Sequence, residues 1–309
     1  MSLKSLKIKI RGIKKTQQVT KAMEAVSAVK MRKAQESAFL GRPYAVAAVS
    51  LLARLSQSHD VREHPLVKPR HGGATLIILI TSDRGLAGNL NSALISKVKR
   101  FIEEKKIEKE NVHFITIGRK GHDHFSKKGY KVVADHSPLP NLPDSHIFRR
   151  VAEESINRFA NDEYGRVYVA YNNFLSTLNR TPVMRQVLPF EKKELEEVIK
   201  GIAPVRGRWS EDQVTLAPRE TPVAYTYEPD ADVIYRELLP MLLTAISYHG
   251  ALESKASEFS ARMVAMKNAT DKAKELGEEF TSEYNKLRQS SITREVSEII
   301  GGMEALNSL

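Results

Sequence analysis

The chain contains no cysteine, which excludes a disulfide scaffold, thiolate ligation of zinc or an iron–sulfur cluster, and a thiol nucleophile. Long apolar runs are missing too: Leu76–Ile80 is among the longest, far short of the roughly 20 residues that cross a bilayer. Tryptophan occurs once, at Trp209, and residues 1–38 hold no aromatic side chain at all, which removes the stacking platform on which most single-strand nucleic-acid binders depend. Acidic residues are scarce at the amino end, where residues 1–40 carry ten Lys/Arg against only Glu24 and Glu36. Over the whole chain 48 basic residues face 37 acidic ones, a net charge of +11 that favours negatively charged partners without naming a reaction. The 309 residues, 41% of them apolar, suffice for a large core in one or two domains. The basic amino end superficially resembles a targeting peptide, but it lacks an apolar core and its helical pattern continues past position 50, so it reads as mature structure.

Three zones follow from periodicity. Residues 2–57 lack strand alternation, are rich in helix-forming Lys, Ala, Met, Gln and Glu, and predict one long helix. Its apolar stripe begins at Leu3, Leu6, Ile10 and Ile13, continues with a phase shift through Val19, Met23 and Val26, and resumes at Tyr44, Ala48, Leu51 and Leu55. Gly41 and Pro43 predict a kink, and the Pro- and Gly-bearing stretch 58–73 ends the pattern. Residues 74–205 alternate short apolar runs with amphipathic ones. Leu76–Thr81, His113–Ile117 and Val167–Tyr171 are expected strands, Leu90–Lys105 and Ile147–Asn161 covering helices, and Pro182–Phe190 an edge strand, which together predict a largely parallel α/β sheet. A connector with four prolines, 204–230, has no clear period and is strand-like around Val223–Glu228.

The third zone carries the strongest signal. From Leu238, positions spaced alternately four and three apart run through Leu242, Ala245, His249, Leu252, Ala256, Phe259, Met263, Met266, Thr270, Ala273, Gly277, Phe280, Tyr284 and Leu287 to Ser291, and twelve of these sixteen are apolar or aromatic. Such alternation marks a seam buried against another helix. After Ser291 the stripe moves by one residue to Ile292, Val296, Ile299, Met303 and Leu306, as at a change of partner. A single helix over 232–306 would be about 110 Å long, and propensity alone does not stabilise such a rod. The only other long helical zone is residues 2–57, so the two ends are expected to pair antiparallel with the α/β domain inserted between them.

Candidate chemical sites are weak by comparison. The loop Thr81–Asn89 lies between a strand and a helix, where nucleotide folds hold phosphates, but it offers only Gly85 and Gly88 of the G-x-G-x-x-G pattern, and no P-loop occurs anywhere. His122 and His124 flank Asp123 at a spacing that points their side chains apart on a helix, and no metal-ligand set or nucleophile elbow appears. No cofactor is expected. The basic run Lys14, Lys15, Lys21, Lys30, Arg32 and Lys33 suits a solvated helix face, nucleic acid or an acidic protein loop, and physics alone leaves the three open.

Several long stretches then carry a resemblance: Ile13–Glu24, Lys30–Lys33, Thr81–Asn91, Ala256–Asp271 and Asn285–Glu295 are similar, in order, to the gamma subunits of F-type ATP synthases, the central rotor shafts, and the similarity spans essentially the whole chain. The resemblance implies an α/β plus long coiled-coil fold: a shaft helix over 1–58, a Rossmann-like domain over 74–205, a foot loop over 206–231 and a second shaft helix over 232–309. It implies a non-catalytic rotor inside a ring of three alpha and three beta subunits, with epsilon on the central domain and the membrane c-ring at the foot. Met23, Lys30, Arg32 and Lys33 would lie near an acidic loop of beta. Arg262, Arg288, Gln289, Thr293 and Glu295 would contact the ring or the opposing helix, the last turns would sit in an apolar collar, and Tyr225, Tyr227 and Glu228 would face the c-ring. The implied location is peripheral, on the cytoplasmic face of a bacterial plasma membrane. Where the family loop often reads Gly-Leu-Cys-Gly-Gly, this chain has Gly85-Leu86-Ala87-Gly88-Asn89, and a positive φ is expected to be tolerable at Asn89. Two other classes compete: a dinucleotide-dependent enzyme with helical arms, and a basic nucleic-acid-binding coiled coil.

Overall fold

The computed structural model describes residues 2–55, 64–70, 72–190 and 231–307. Trp209, the connector and the foot residues Tyr225, Tyr227 and Glu228 lie outside the described residues. The elements are α1 (Leu3–Leu55), β1 (Ala74–Ile80), α2 (Leu90–Glu104), β2 (Val112–Ile117), α3 (Arg119–Lys127), β3 (Lys131–Asp135), α4 (Ser145–Ala160), β4 (Tyr164–Phe174), β5 (Arg180–Leu188) and α5 (Ala231–Asn307). The chain divides into two compact units, residues 28–261 and residues 1–27 with 262–309.

The first unit holds a five-stranded sheet of order β3-β2-β1-β4-β5. β1 pairs in parallel with β2 and β4, β2 in parallel with β3, and β5 runs antiparallel at the edge. Both faces of β1 are covered, which is why its sequence is an uninterrupted apolar run instead of an alternating one. Leu76, Ile78 and Ile80 pack with Phe148, Val151 and Phe159 of α4 and with Leu239, Leu242 and Leu243 of α5. Ile77 and Leu79 pack with Leu94, Val98 and Ile102 of α2 and Phe125 of α3. The expected α/β sheet is therefore present, with one strand more than periodicity gave. β3 reads Lys-Val-Val-Ala-Asp, a half-buried edge whose charged ends hide its period. α5 also tolerates Pro240, whose carbonyl accepts a 2.8 Å bond from Thr244 Oγ1.

In the second unit the two termini pair antiparallel. Lys9 Nζ lies 5.4 Å from the Phe280 ring centroid, Ile13 faces Gly277, and Thr270 Oγ1 donates to Thr20 Oγ1 at 2.7 Å, so the partner's number falls as α1's rises. All sixteen stripe positions on α5 are buried or half-buried, but those from Leu238 to Phe259 belong to the first unit, where Leu238 and Leu242 pack in the sheet core, and only those from Met263 onward belong to the second. On α1 the outcome differs from expectation. The protected positions include Leu3, Leu6, Ile10, Ile13, Gln17, Thr20, Glu24 and Ser27 at three-and-four spacing, together with Ser5 and the expected Met23, while Val19 and Val26 stand 50% and 54% exposed. Apolarity misplaced the stripe because short hydroxyl side chains serve as seam residues once their hydrogens are bonded: Thr20 Oγ1 donates to the Gln17 carbonyl at 3.1 Å and Ser27 Oγ to the Met23 carbonyl at 2.7 Å. At Gly41 and Pro43, where a kink was expected, helical structure continues through both residues.

Candidate interaction surfaces of the helices and the sheet crevice

In an open doubly wound sheet the ligand crevice lies beyond the carboxyl ends of the strands, where the strand order reverses. Here that point falls between β1 and β4. β1 stops at Ile80 while β4 continues to Phe174, so past Ala170 one edge of β4 has no strand beside it. The amides of Asn172 and Phe174 and the carbonyl of Asn172 share that edge. α5 supplies what a strand would have supplied. Asn172 N–H donates to Ser254 Oγ at 3.3 Å, Phe174 N–H donates to Glu253 Oε2 at 2.7 Å, and Ser257 Oγ donates to the Asn172 carbonyl at 3.1 Å. Ser254 Oγ reaches the Ile80 carbonyl at 3.4 Å, and Ser260 Oγ donates to the Thr177 carbonyl at 2.5 Å. The crevice is thus filled by the chain's own helix.

Burial around this contact is extreme for a polar segment: residues 249–262 are buried without exception, among them His249, Glu253, Lys255, Glu258 and Arg262. His249 Nε2 lies 3.3 Å from Glu253 Oε1, and Lys255 Nζ lies 3.1 Å from Glu258 Oε2. The helix approaches the sheet closely at Gly250, where a Cβ would stand 3.1 Å from the Tyr171 ring and would need the ring to shift. Burial pushes the Tyr171 phenol above its ordinary range, opposed by the Arg185 side chain, whose Nε donates to the Tyr171 hydroxyl at 3.0 Å. The heptad pattern placed His249 on the seam but missed Glu253, Ser254, Ser257 and Ser260. The available signal was three serines spaced three apart, a polar stripe too regular for a solvated face.

The loop after β1 is held just as firmly. Thr81 Oγ1 donates to the Gly118 carbonyl and accepts from Gly121 N–H, both at 2.9 Å, and Asn91 Oδ1 accepts from Ser82 N–H at 3.1 Å. Asp83 spans two segments, accepting from Arg119 N–H at 3.1 Å and Leu139 N–H at 3.0 Å, so a carboxylate of the chain itself occupies the first turn of α3. The expectation for Asn89 needs correction. Its φ is −88°, and the positive values of this loop fall on Leu86 (62°) and Gly88 (57°), so the turn asks no left-handed conformation of Asn89.

On the terminal helices, Met23 is half-buried, Arg32 and Lys33 are exposed, and Lys30 lies 5.7 Å from the Phe259 ring centroid. Arg262 is 9% exposed, so its charge is not offered to solvent. Arg288, Gln289, Thr293 and Glu295 are exposed, with Ser291 Oγ donating to Glu295 at 3.2 Å. α1 begins at Leu3, and α5 beyond Ser291 has no covering segment among the described residues. Ile292, Val296, Ile299, Ile300 and Met303 stand 47–64% exposed there. No group of residues suited to hold a metal ion occurs among the described residues, and no described helix is long and apolar enough to cross a membrane.

A sheet whose crevice is stoppered by its own helix, with paired terminal helices that leave apolar surface uncovered, defines a component built to fit into a larger assembly. The sequence profile of the ATP synthase family matches residues 2–306. The chain is 37% identical over 305 residues to the ATP synthase gamma chain of Pelotomaculum thermopropionicum and 36% identical over 315 residues to that of Salinibacter ruber, with 98–99% of each chain covered. It belongs to the ATP synthase gamma chain family. Its fold is similar to a chain of the Euglena gracilis mitochondrial ATP synthase (TM-score 0.59, 18% identity, 99% of this chain and 95% of that one covered). It is likewise similar to a chain of the Tetrahymena thermophila mitochondrial central stalk and c-ring (TM-score 0.57, 23% identity, 81% and 99% covered).

Proposed function

We propose that the chain is the central shaft of an F-type ATP synthase, turning inside a ring of alpha and beta subunits and coupling ion flow through a membrane c-ring to ATP synthesis or hydrolysis on beta. The observation that carries this reading is the uncovered apolar row Ile292, Val296, Ile299, Ile300 and Met303, which continues past the end of an antiparallel pair. Apolar contact is non-directional. A tip of this kind turns in an apolar collar without breaking a fixed set of hydrogen bonds at each step.

The part played is mechanical and non-catalytic. Torque passes along a helix pair whose interlocked seam resists sliding, and the ring responds because each beta conformer is stabilised only as far as the shaft face opposite prefers it. Contacts that form and break at every step have to be weak. Met23, Lys30, Arg32 and Lys33, then Arg288, Gln289, Thr293 and Glu295, are proposed as those contacts, and exposed ion pairs at such positions contribute about 0–1 kcal/mol each. Arg262, being buried, is assigned to packing within the chain. Tyr225, Tyr227 and Glu228 are proposed to face the c-ring, the central domain to hold epsilon, and the whole to sit peripherally on the cytoplasmic face of a bacterial plasma membrane.

The test is rotation. With the alpha–beta ring immobilised and a probe fixed at Arg166→Cys on the exposed side of β4, ATP should drive stepwise turning of the probe. ATP hydrolysis at the normal rate with a stationary probe contradicts the proposal.

A further inference from the structure

Among the cavities that the coupling role does not use, one has a distinctive lining. It has a volume of about 370 Å3 and lies at the amino end of α2, against the outer part of β4 and the start of β5, lined by Asn89, Leu90, Ala93, Asn172, Asn179, Arg180 and neighbours. Three features give it one chemical character. First, α2 has fifteen residues, no acidic side chain in its first turn and no side-chain hydrogen bond from its capping residue Asn89, so, apart from the Leu90 N–H that donates to the Ala87 carbonyl at 3.3 Å, its positive end has neither a carboxylate nor a capping side chain of its own. Second, Asn172 is 2% exposed and its Nδ2 has no hydrogen-bond partner among the described residues, although both its backbone groups are bonded to α5. A buried amide donor without an acceptor is unfavourable, and a ligand oxygen would satisfy it. Third, Arg180 stands in the wall, its Nη1 touching only the neutral Ser260 hydroxyl at 3.5 Å among its recorded hydrogen bonds, and no Asp or Glu lines the cavity. Burial lowers the proton affinity of the Arg180 guanidinium, with no carboxylate opposing.

We propose that this cavity binds a compact oxyanion of the phosphate class, held by the Arg180 guanidinium, the Asn172 amide and the first turn of α2. The contrast with α3 is instructive. There the carboxylate of Asp83 fills the equivalent position on Arg119 N–H, whereas at α2 no side chain of the chain does so. An oxyanion with several acceptors matches a cavity whose one charged side chain is a guanidinium and whose lining holds no carboxylate.

The inference stands apart from the rotor reading and is tested on the full chain alone, since beta subunits would add phosphate sites of their own. Inorganic phosphate is titrated at constant ionic strength, with line broadening of its phosphorus resonance as the readout and acetate as competitor. Saturable broadening is expected, and Arg180→Gln should weaken it by about tenfold or more. Ala93→Glu, which puts a carboxylate into the cavity without touching the donors, should abolish it. Arg166→Gln removes the same charge from an exposed position elsewhere on β4 and should leave it intact. Broadening that is absent or unsaturable, or that survives both cavity variants, overturns the proposal. So does displacement of phosphate by equimolar acetate, which would mark a site for a protein carboxylate.

Discussion

Two stretches of α5 break the usual partition of polar and apolar residues in opposite ways. Residues 249–262 are buried although rich in Ser, Glu, Lys and His, whereas Ile292, Val296, Ile299, Ile300 and Met303 are exposed although apolar. The first stretch is held by bonds within its own chain, from Glu253, Ser254 and Ser257 to the unpaired edge of β4 and from Lys255 to Glu258, while His249 Nδ1 has no hydrogen-bond partner among the described residues. The second has no such partner among the described residues and is explained by surface meant for another chain. One helix therefore performs two tasks, anchoring in a sheet and presenting an apolar row, and side-chain chemistry separates them.

The sharpest way to break the contrast is at Glu253. Replacing it with Ala removes the acceptor of the Phe174 amide and leaves a buried donor unsatisfied, a cost of about 2–3 kcal/mol. Hydrogen exchange at Phe174 should accelerate by roughly thirtyfold or more. At the other end, Ile299→Glu should change the stability of the separate chain by no more than about 0.5 kcal/mol. Its retention in the assembled synthase should fall by about tenfold or more, the equivalent of the 1.5–3 kcal/mol gained by burying such a side chain. Equal destabilisation of the separate chain by both substitutions would erase the distinction. The seam between the termini is intermediate. Thr270→Val alone should cost about 1 kcal/mol or less, because Thr20 Oγ1 loses one donor but keeps its own bond to the Gln17 carbonyl, and the double replacement with Thr20→Val should cost less than the sum of the two single ones, as measured by urea denaturation.

The smallest effect is on pH. Burial lowers the proton affinity of His113, His124 and His136, with Lys131 adding to the effect at His113 and Lys99 and Lys128 at His124. The unfolded chain then binds more protons than the folded one below the ordinary histidine range. The contribution is complete above about pH 6.5 and is lost as pH falls through the lower folded values. His136→Asn should flatten that decline in an acid titration of the melting temperature; an unchanged slope would assign it elsewhere.

The sequence made the long seam of α5, the parallel sheet and the inserted topology legible because each rests on many repeated apolar positions. Particular residues defeated the same logic where satisfaction replaced hydrophobicity. Thr20 and Ser27 belong to the α1 seam while Val19 and Val26 do not, and β3 hides at an edge where burial is only partial. The contact of Glu253, Ser254 and Ser257 with β4 depends on how far one strand overshoots its neighbour, a property of register that no local pattern encodes. Arg288 and Gln289 are singled out by resemblance alone, since nothing about an exposed Arg-Gln pair distinguishes it from ordinary surface.

The central claim is that the chain's two ends wind antiparallel with α5 continuing beyond the pair. The absence of native cysteine allows a clean test. Thr20→Cys with Thr270→Cys places two thiols where hydroxyl oxygens already meet at 2.7 Å, and mild oxidation should give a rapid intrachain disulfide visible as a gel shift. Thr20→Cys with Ile299→Cys should give none. Failure of the first pair to close, or closure of both at similar rates, would contradict the account.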